Sequence, residues 1–280
     1  MTGLQTLDRA VGLGPGDHAS WAYDDVSELK TACVDYFTDG LLRHERLMYV
    51  GGRAQGSLIA DLAALPGRDA LIEEGRLTVV SLRGQLDTAD GLDATAQVEA
   101  RRQMATAVVR EGYAGLRVVG DITDFVARPG LLDHLVEFEL AADTMMASAP
   151  LTALCALDRE RTGQRWRQVS ALHRIQHSPD RHPTFSLGGS GSALRLVGEI
   201  DISSINDLDQ VLGHLALATK GPLTFDLSDL SFIDVAGTRR LAAFQRSLAG
   251  EGRAVLFRRL TPAAQRTFRA FAMTEDRELW

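Results

Sequence analysis

The stretch "SFIDVAGTRRLAAF" (residues 231–244) decides how the C-terminal part of the chain folds. An apolar run ends at Asp234 and a helical pattern begins after Gly237, which predicts a strand that turns directly into a helix. The first amides of such a helix have no partner within it, so the turn suits an anion or a modifying phosphate. Its tip residues, Val235 and Ala236, carry no hydroxyl, thiol or charge. The sequence therefore predicts the platform of a switch without its modifiable group. We call residues 234–238 the elbow.

The segments around the elbow predict a small α/β domain. Apolar runs and alternation predict strands, and apolar stripes at helical spacing predict helices. The predicted strands lie within residues 193–201, 222–234 and 253–258, and the predicted helices start after a cap at Ser203, at Gly237, and near Thr261 and Pro262.

The first half of the chain alternates short apolar runs with amphipathic stretches. This pattern predicts βα units, and hence a mostly parallel sheet with helices on both faces. One helix is expected to start at a capping box of Asp25 and Glu28 and to bury Val26, and a later one is expected to bury Val109. The predicted strands lie at residues 18–23, 46–52, 76–82, 115–121 and 151–158, and a helix is predicted over residues 130–148.

A linker is expected within "HSPDRHPTFSLGGSGSALRL" (residues 177–196), which is rich in proline, glycine and serine. We therefore predict two domains, residues 1–180 and residues 183–280. The segment "PTFSL" (residues 183–187) fits two arrangements: it either closes the first sheet or forms a hairpin with residues 193–197.

Composition limits the classes of function. The chain has 280 residues and a net charge of -7, which argues against nucleic acid as a partner. Its two cysteines, Cys33 and Cys155, lie in apolar stretches and fit a reducing compartment. Neither a secretory signal nor a stretch of membrane-spanning length is visible, so we expect a cytoplasmic protein that does not enter a membrane.

Two motifs in the second half resemble a STAS domain, the domain of anti-anti-sigma factors: "LVGEID" (residues 196–201) and "FDLSDLSFIDVAGTRRL" (residues 225–241). The resemblance covers residues 183–275. In that family the elbow reads Asp-Ser-Ser-Gly or Asp-Ser-Thr-Gly, and a partner kinase phosphorylates the hydroxyl residue before the glycine. Here Asp234 and Gly237 match the pattern, Val235 replaces the first hydroxyl residue, and Ala236 replaces the phospho-acceptor.

The resemblance implies that the elbow docks an anti-sigma factor or a serine-kinase-type partner. Because Ala236 cannot accept phosphate, the charge that would release the partner cannot be added there. Control is then expected to come from the first half of the chain. Two alternatives are open: Thr238 serves as a substitute acceptor, or the elbow is a packed turn that has lost its partner. Homodimerisation is also compatible with the sequence.

The first half resembles the MEDS sensory domain over residues 15–180. The family pattern has a histidine opening the first strand, a tyrosine ending it and a helix closing on glycine, which His18, Tyr23 and Gly40 match. Asp124 departs from it, since the family often has tryptophan there. The resemblance implies a three-layer RecA/KaiC-like fold that senses a small molecule.

The candidate ligand pocket consists of residues near the strand ends: His18, Tyr23, Gly51, Gly52, Gly56 and Asp121. His18 either faces a pocket at the carboxyl edge of the sheet or forms hydrogen bonds within the core. "GGRAQGS" (residues 51–57) has the glycines of a phosphate loop but lacks its lysine. We expect no required cofactor, and nucleotide binding without turnover is an alternative.

Other chemistry is not favoured. His173, His177 and His182 suggest a metal set, but two prolines interrupt their spacing and no metal site is expected. No G-x-S-x-G elbow is present, so a hydrolase is not expected. Asp121, Glu137 and Glu139 could be paired acids, although solvated or capping carboxylates fit better.

These observations predict a non-enzymatic bacterial signalling regulator, in which a MEDS input domain controls a STAS output domain that binds an anti-sigma factor. The alternative is a nucleotide-binding or vestigial NTPase module that uses its STAS half for assembly. A third interpretation is an adaptor whose first half binds only protein.

Overall fold

The computed structural model describes residues 3–84, 93–190 and 192–271. The chain folds into two sheets, and each sheet is packed against helices. The predicted α/β class with a larger and a smaller unit is therefore confirmed. None of the helices in these ranges is both long and apolar enough to cross a bilayer.

The first sheet has seven strands in the order β1-β7-β2-β6-β5-β3-β4, and all its pairs are parallel. Its strands are β1 (Gln5–Thr6), β2 (His18–Tyr23), β3 (Arg46–Gly51), β4 (Leu77–Ser81), β5 (Leu116–Asp121), β6 (Leu151–Asp158) and β7 (Ile175–His177). Its helices are α1 (Val26–Leu42), α2 (Gln55–Asp61), α3 (Arg68–Glu73), α4 (Ala94–Arg110), α5 (Thr123–Val126), α6 (Pro129–Met146), α7 (Arg159–Thr162) and α8 (Arg165–Ser170).

Helices cover both faces of this sheet, because its strands are apolar on both sides. Leu47, Tyr49 and Val119 pack with α1 in one core, whereas Leu116 and Val118 pack with α4 and α6 in another. The predicted three-layer arrangement follows from this alternation of side chains along each strand.

The second sheet contains β8 (Phe185–Ser190), β9 (Ala193–Ile200), β10 (Leu223–Asp226), β11 (Leu230–Ile233) and β12 (Val255–Arg258). Its order is β11-β9-β10-β12, and β8 pairs antiparallel with β9. "PTFSL" therefore contributes to a hairpin and does not join the first sheet. Three helices accompany these strands: α9 (Ile205–Ala218), α10 (Val235–Gly250) and α11 (Pro262–Ala270).

Several local predictions need correction. Ser203 does not cap α9: its hydroxyl donates to Asp201 at 2.6 Å, and the helix begins at Ile205. The predicted strand over residues 222–234 is two strands, β10 and β11, separated by a turn, and α10 begins at Val235. Val26 and Val109 are 40% and 43% exposed, so neither belongs to the core.

The cap of α1 is formed largely as predicted. The Asp25 carboxylate accepts a hydrogen bond from the Ser27 amide at 2.7 Å. Glu28 accepts from the amide of Asp24, one residue earlier than a capping box requires.

A fully buried arginine forms polar contacts with several elements inside the first domain. Arg117 of β5 forms an ion pair with buried Glu45 and donates to the carbonyl of Leu13 at 2.7 Å. Its side chain occupies the space that a Cβ at Gly40 would need, since such an atom would lie 2.4 Å from Arg117 Cδ. The glycine that closes α1 is therefore required by this packing.

Candidate functional site

Four buried side chains from distant parts of the sequence meet beside the first sheet: His18, Glu139, Cys155 and His173. We call them the buried cluster. His18 begins β2 and Cys155 lies on the neighbouring strand β6, in which Ala153 pairs with His18. Glu139 lies on α6, and His173 follows α8. Each residue offers one atom that could bind a metal: a histidine nitrogen, the cysteine sulfur or a carboxylate oxygen. These four atoms all lie within 4.8 Å of one another.

The contacts within the cluster leave polar atoms without hydrogen bonds. His18 Nε2 lies 3.2 Å from Glu139 Oε2 and 3.4 Å from Cys155 Sγ, and His173 Nε2 lies 3.5 Å from Glu139 Oε2. Among the described residues, no group forms a hydrogen bond of normal geometry with either Glu139 oxygen or with His173 Nε2. Buried polar groups are nearly always paired, so this cluster is unusual.

The other ring nitrogen of His173 fixes its tautomer. Nδ1 lies 2.9 Å from the Val169 carbonyl oxygen, which can only accept, so Nδ1 carries the proton. In the neutral ring, Nε2 then presents a lone pair to Glu139.

Burial favours the uncharged form of every member of the cluster. It raises the pKa of Glu139 and raises the pKa of Cys155 well above its usual value. It lowers the pKa of His18 and lowers that of His173 to about 4. Desolvation is the largest cause for each group, because all four residues are buried.

An apolar cavity of about 130 Å³ adjoins the cluster. His18 and Cys155 form part of its wall, and Asp121 lies at another part. Since an apolar cavity of about 150 Å³ in another protein binds benzene, this cavity could hold a small organic molecule. Most of its lining is aliphatic, aromatic or thioether, including Val118, Phe125, Leu135, Met145 and Met146.

Of the six predicted pocket residues, His18 and Asp121 line this cavity, and the other four do not. Tyr23, Gly51 and Asp121 end their strands, whereas His18 begins β2, at the opposite edge of the parallel sheet. Of the two alternatives for His18, a position at the carboxyl edge is therefore wrong. His18 is buried, and it both lines the cavity and contacts the cluster.

The segment with the phosphate-loop glycines faces carboxylates. Arg53 follows Gly52 and forms ion pairs with Asp61 and Asp121, the latter at 3.1 Å. A Cβ at Gly52 would lie 2.1 Å from Asp124 Oδ2, and Gly56 lies exposed within the short helix α2. Asp124 itself pairs with Arg161. Because Arg53 is already neutralised, this edge offers little attraction for phosphate.

The elbow has the predicted strand-to-helix geometry. Asp234 caps α10 by accepting a hydrogen bond from the Gly237 amide at 2.7 Å. A Cβ at Gly237 would lie 2.6 Å from Ile200 Cγ2, so the close contact with β9 requires glycine. Val235 is 53% exposed, and Ala236 is half-buried against the core. The start of the helix is thus accessible from outside.

Thr238 is placed unfavourably for a substitute acceptor. Its side chain is fully buried, and its hydroxyl donates to the Asp234 carbonyl at 2.9 Å. A kinase could not reach this oxygen unless α10 moved.

Exposed apolar side chains surround the elbow. Ile202 follows β9 and is 73% exposed, and Phe232 on β11 is 51% exposed. The Asp234 amide donates to the Ile200 carbonyl, which brings the ends of β9 and β11 together. We call Ile202, Phe232 and Val235 the elbow patch.

Helix α6 connects the buried cluster to the second sheet. The Gly189 amide of β8 donates to Asp143 Oδ2 at 3.1 Å, and the Thr144 hydroxyl donates to the Gly189 carbonyl at 3.2 Å. Val136 and Leu140 of the same helix pack in the core of the second domain. Glu139, also on α6, belongs to the buried cluster, so α6 contacts both the cluster and the second domain.

Of the remaining predicted residues, His177 stacks on Trp21 with ring centroids 3.6 Å apart, and its Nδ1 bonds to the Leu7 carbonyl. It does not approach His173. Glu137 is exposed, unlike Glu139. The sequence singled out three members of the cluster separately, but no local spacing groups them.

An all-parallel sheet with a buried polar cluster, joined to a smaller α/β unit with an exposed capped elbow, defines the architecture of the chain. Two family profiles agree with this architecture. The profile described as "MEDS: MEthanogen/methylotroph, DcmR Sensory domain" matches residues 17–174, and that described as "Mlab, STAS domain" matches residues 184–279. The chain belongs to the MEDS family, with a STAS domain following its sensory domain, as the motifs predicted. No curated protein matches it. It is a signalling protein with a STAS output domain.

Proposed function

We propose that this protein is a non-enzymatic cytoplasmic regulator whose STAS domain binds an anti-sigma factor or a related serine-kinase-type protein, without phosphorylation of the elbow. The sensory domain, on binding a small apolar effector, controls that interaction. The two unpaired cysteines, Cys33 and Cys155, support a reducing compartment.

The observation that carries the proposal is the state of the elbow. Its cap, its tight glycine contact and its exposed helix start are all present, while Ala236 offers no acceptor and Thr238 is buried. The elbow patch adds exposed apolar area of the kind found at the centre of protein interfaces. These features support the docking of a partner protein at the elbow, and they do not support its release by phosphorylation of the elbow.

The input side of the proposal rests on the cavity and on α6. The cavity lies against α6, which carries Glu139 and makes two hydrogen bonds to Gly189 of the STAS domain. An effector that shifts α6 would change contacts at β8, provided that it binds two arrangements of the domains with different affinities.

Binding to the anti-sigma kinases of the same bacterium tests the proposal. Val235→Asp places a charge in the elbow patch, and it should weaken binding at least about tenfold because a desolvated charge at an interface is costly. Leu217→Asp is the matched control: Leu217 is 62% exposed near the end of α9, and α9 starts beside the elbow. Equal affinity of the unmodified chain and Val235→Asp, or loss of binding only in the control, would contradict docking at the elbow.

A further inference from the structure

We propose that His18, Glu139, Cys155 and His173 form a binding site for a divalent transition-metal ion, of which Zn²⁺ is the best match. The site lies inside the sensory domain and is independent of the elbow.

The donor set selects the class of ion. Two imidazole nitrogens, one sulfur and one carboxylate oxygen are ligands that Zn²⁺ takes in tetrahedral sites. Ca²⁺ and Mg²⁺ prefer oxygen ligands in larger number, and this cluster supplies a single carboxylate. A thiolate and a carboxylate together carry two negative charges, which balance a divalent ion in an apolar interior.

The unpaired atoms are arranged to bind a cation. The lone pair of His173 Nε2 faces Glu139 Oε2 at 3.5 Å, and an ionised Glu139 has no proton to donate to it. Neutral His18, Cys155 and Glu139 each carry a proton, yet neither Glu139 oxygen nor His173 Nε2 forms a hydrogen bond of normal geometry with another described group. A metal ion placed between them would bond to all four residues.

The surroundings of His173 are those of a metal ligand. Metal-bound histidines usually donate their second ring N–H to a carbonyl or carboxylate, which orients the ring. The Nδ1 contact to the Val169 carbonyl provides this arrangement at His173.

An ion at this position would join four parts of the fold: β2, β6, α6 and the segment after α8. It would therefore hold α6 against the sheet and stabilise the sensory domain. Removing the metal should lower the melting temperature of the full chain, because an ion that binds only the folded state stabilises it.

Cobalt substitution tests the site on the tag-free chain of 280 residues. After chelation, the protein should take up one Co²⁺ with a thiolate charge-transfer band. Cys155→Ser should lose that band. It should also bind Zn²⁺ at least about 100-fold more weakly, because loss of an outer-shell partner alone typically lowers metal affinity by about 10–100-fold. Cys33→Ser is the matched control, since Cys33 is also buried but packs in the core around α1 and is not a member of the cluster, and it should retain both properties.

X-ray absorption of the Zn²⁺-loaded unmodified chain decides the question even if Cys155→Ser does not fold. The expected shell has one sulfur at about 2.3 Å and nitrogen or oxygen at about 2.0–2.1 Å. Absence of saturable binding, a shell without sulfur, or a band that survives in Cys155→Ser would overturn the proposal.

Discussion

The backbone amide of Gly189 donates a hydrogen bond to the carboxylate of Asp143 across the two domains, with 3.1 Å between nitrogen and Oδ2. The neighbouring Gly188 allows this approach, since a Cβ there would lie 2.9 Å from the same oxygen. One helical turn before Asp143, Glu139 contacts His18 and His173. The same helix, α6, thus contacts the interior of the sensory domain through Glu139 and accepts a hydrogen bond from β8, the first strand of the STAS domain, through Asp143.

Removal of the Asp143 carboxylate should weaken the contact between the domains. Asp143→Ala leaves the Gly189 amide without this partner, at an expected cost of about 1–3 kcal/mol. The melting temperature should fall by roughly 2–4 °C for each kcal/mol lost. Glu137→Ala is the control, because Glu137 is exposed on the same helix. Equal melting temperatures for the two variants would contradict a structural role for the Asp143–Gly189 bond.

The elbow should not tolerate a side chain at Gly237. Gly237→Ala forces a methyl group into Ile200 and Ile233, and overpacking of this kind costs about 1–3 kcal/mol. Gly213→Ala provides the comparison, since Gly213 lies exposed within α9 with open space at its Cβ. That change should stabilise the chain by up to about 1 kcal/mol. Denaturant unfolding would measure both, and a Gly237→Ala variant as stable as the unmodified chain would refute the close contact.

The buried pair of Arg117 and Glu45 should be essential for the stability of the sensory domain. Arg117→Met leaves Glu45 buried without its partner, which should cost about 3–5 kcal/mol. Adding Glu45→Gln should recover part of the loss, because the unpaired charge is removed. Arg110→Met, at the exposed end of α4, should stay within about 0.5 kcal/mol. Unfolding curves in which Arg117→Met and Arg110→Met coincide would rule out this account.

Features with a local signature could be predicted from the sequence. Continuous apolar strands alternating with helices predicted the parallel sheet, and Asp25 caps its helix as its position indicated. The positions of Val235, Ala236 and Gly237 in the elbow followed from the strand-to-helix pattern.

Features that depend on strand order could not be predicted in this way. His18 and Cys155 become neighbours only because β2 lies beside β6, although 137 positions separate them. Glu139 was grouped with Glu137, yet helical geometry places one inside and the other outside. Arg117, in an otherwise apolar strand, gave no sign that its partner would be Glu45.

The central claim is that the elbow can dock but cannot be switched by phosphate. The most direct test incubates the unmodified chain and Ala236→Ser with the cognate anti-sigma kinase and ATP, and locates phosphate by mass spectrometry. The account predicts phosphate on Ser at position 236 of the variant and none on residues 231–240 of the unmodified chain. Phosphate on Thr238, or on any residue of that segment in the unmodified chain, would contradict it.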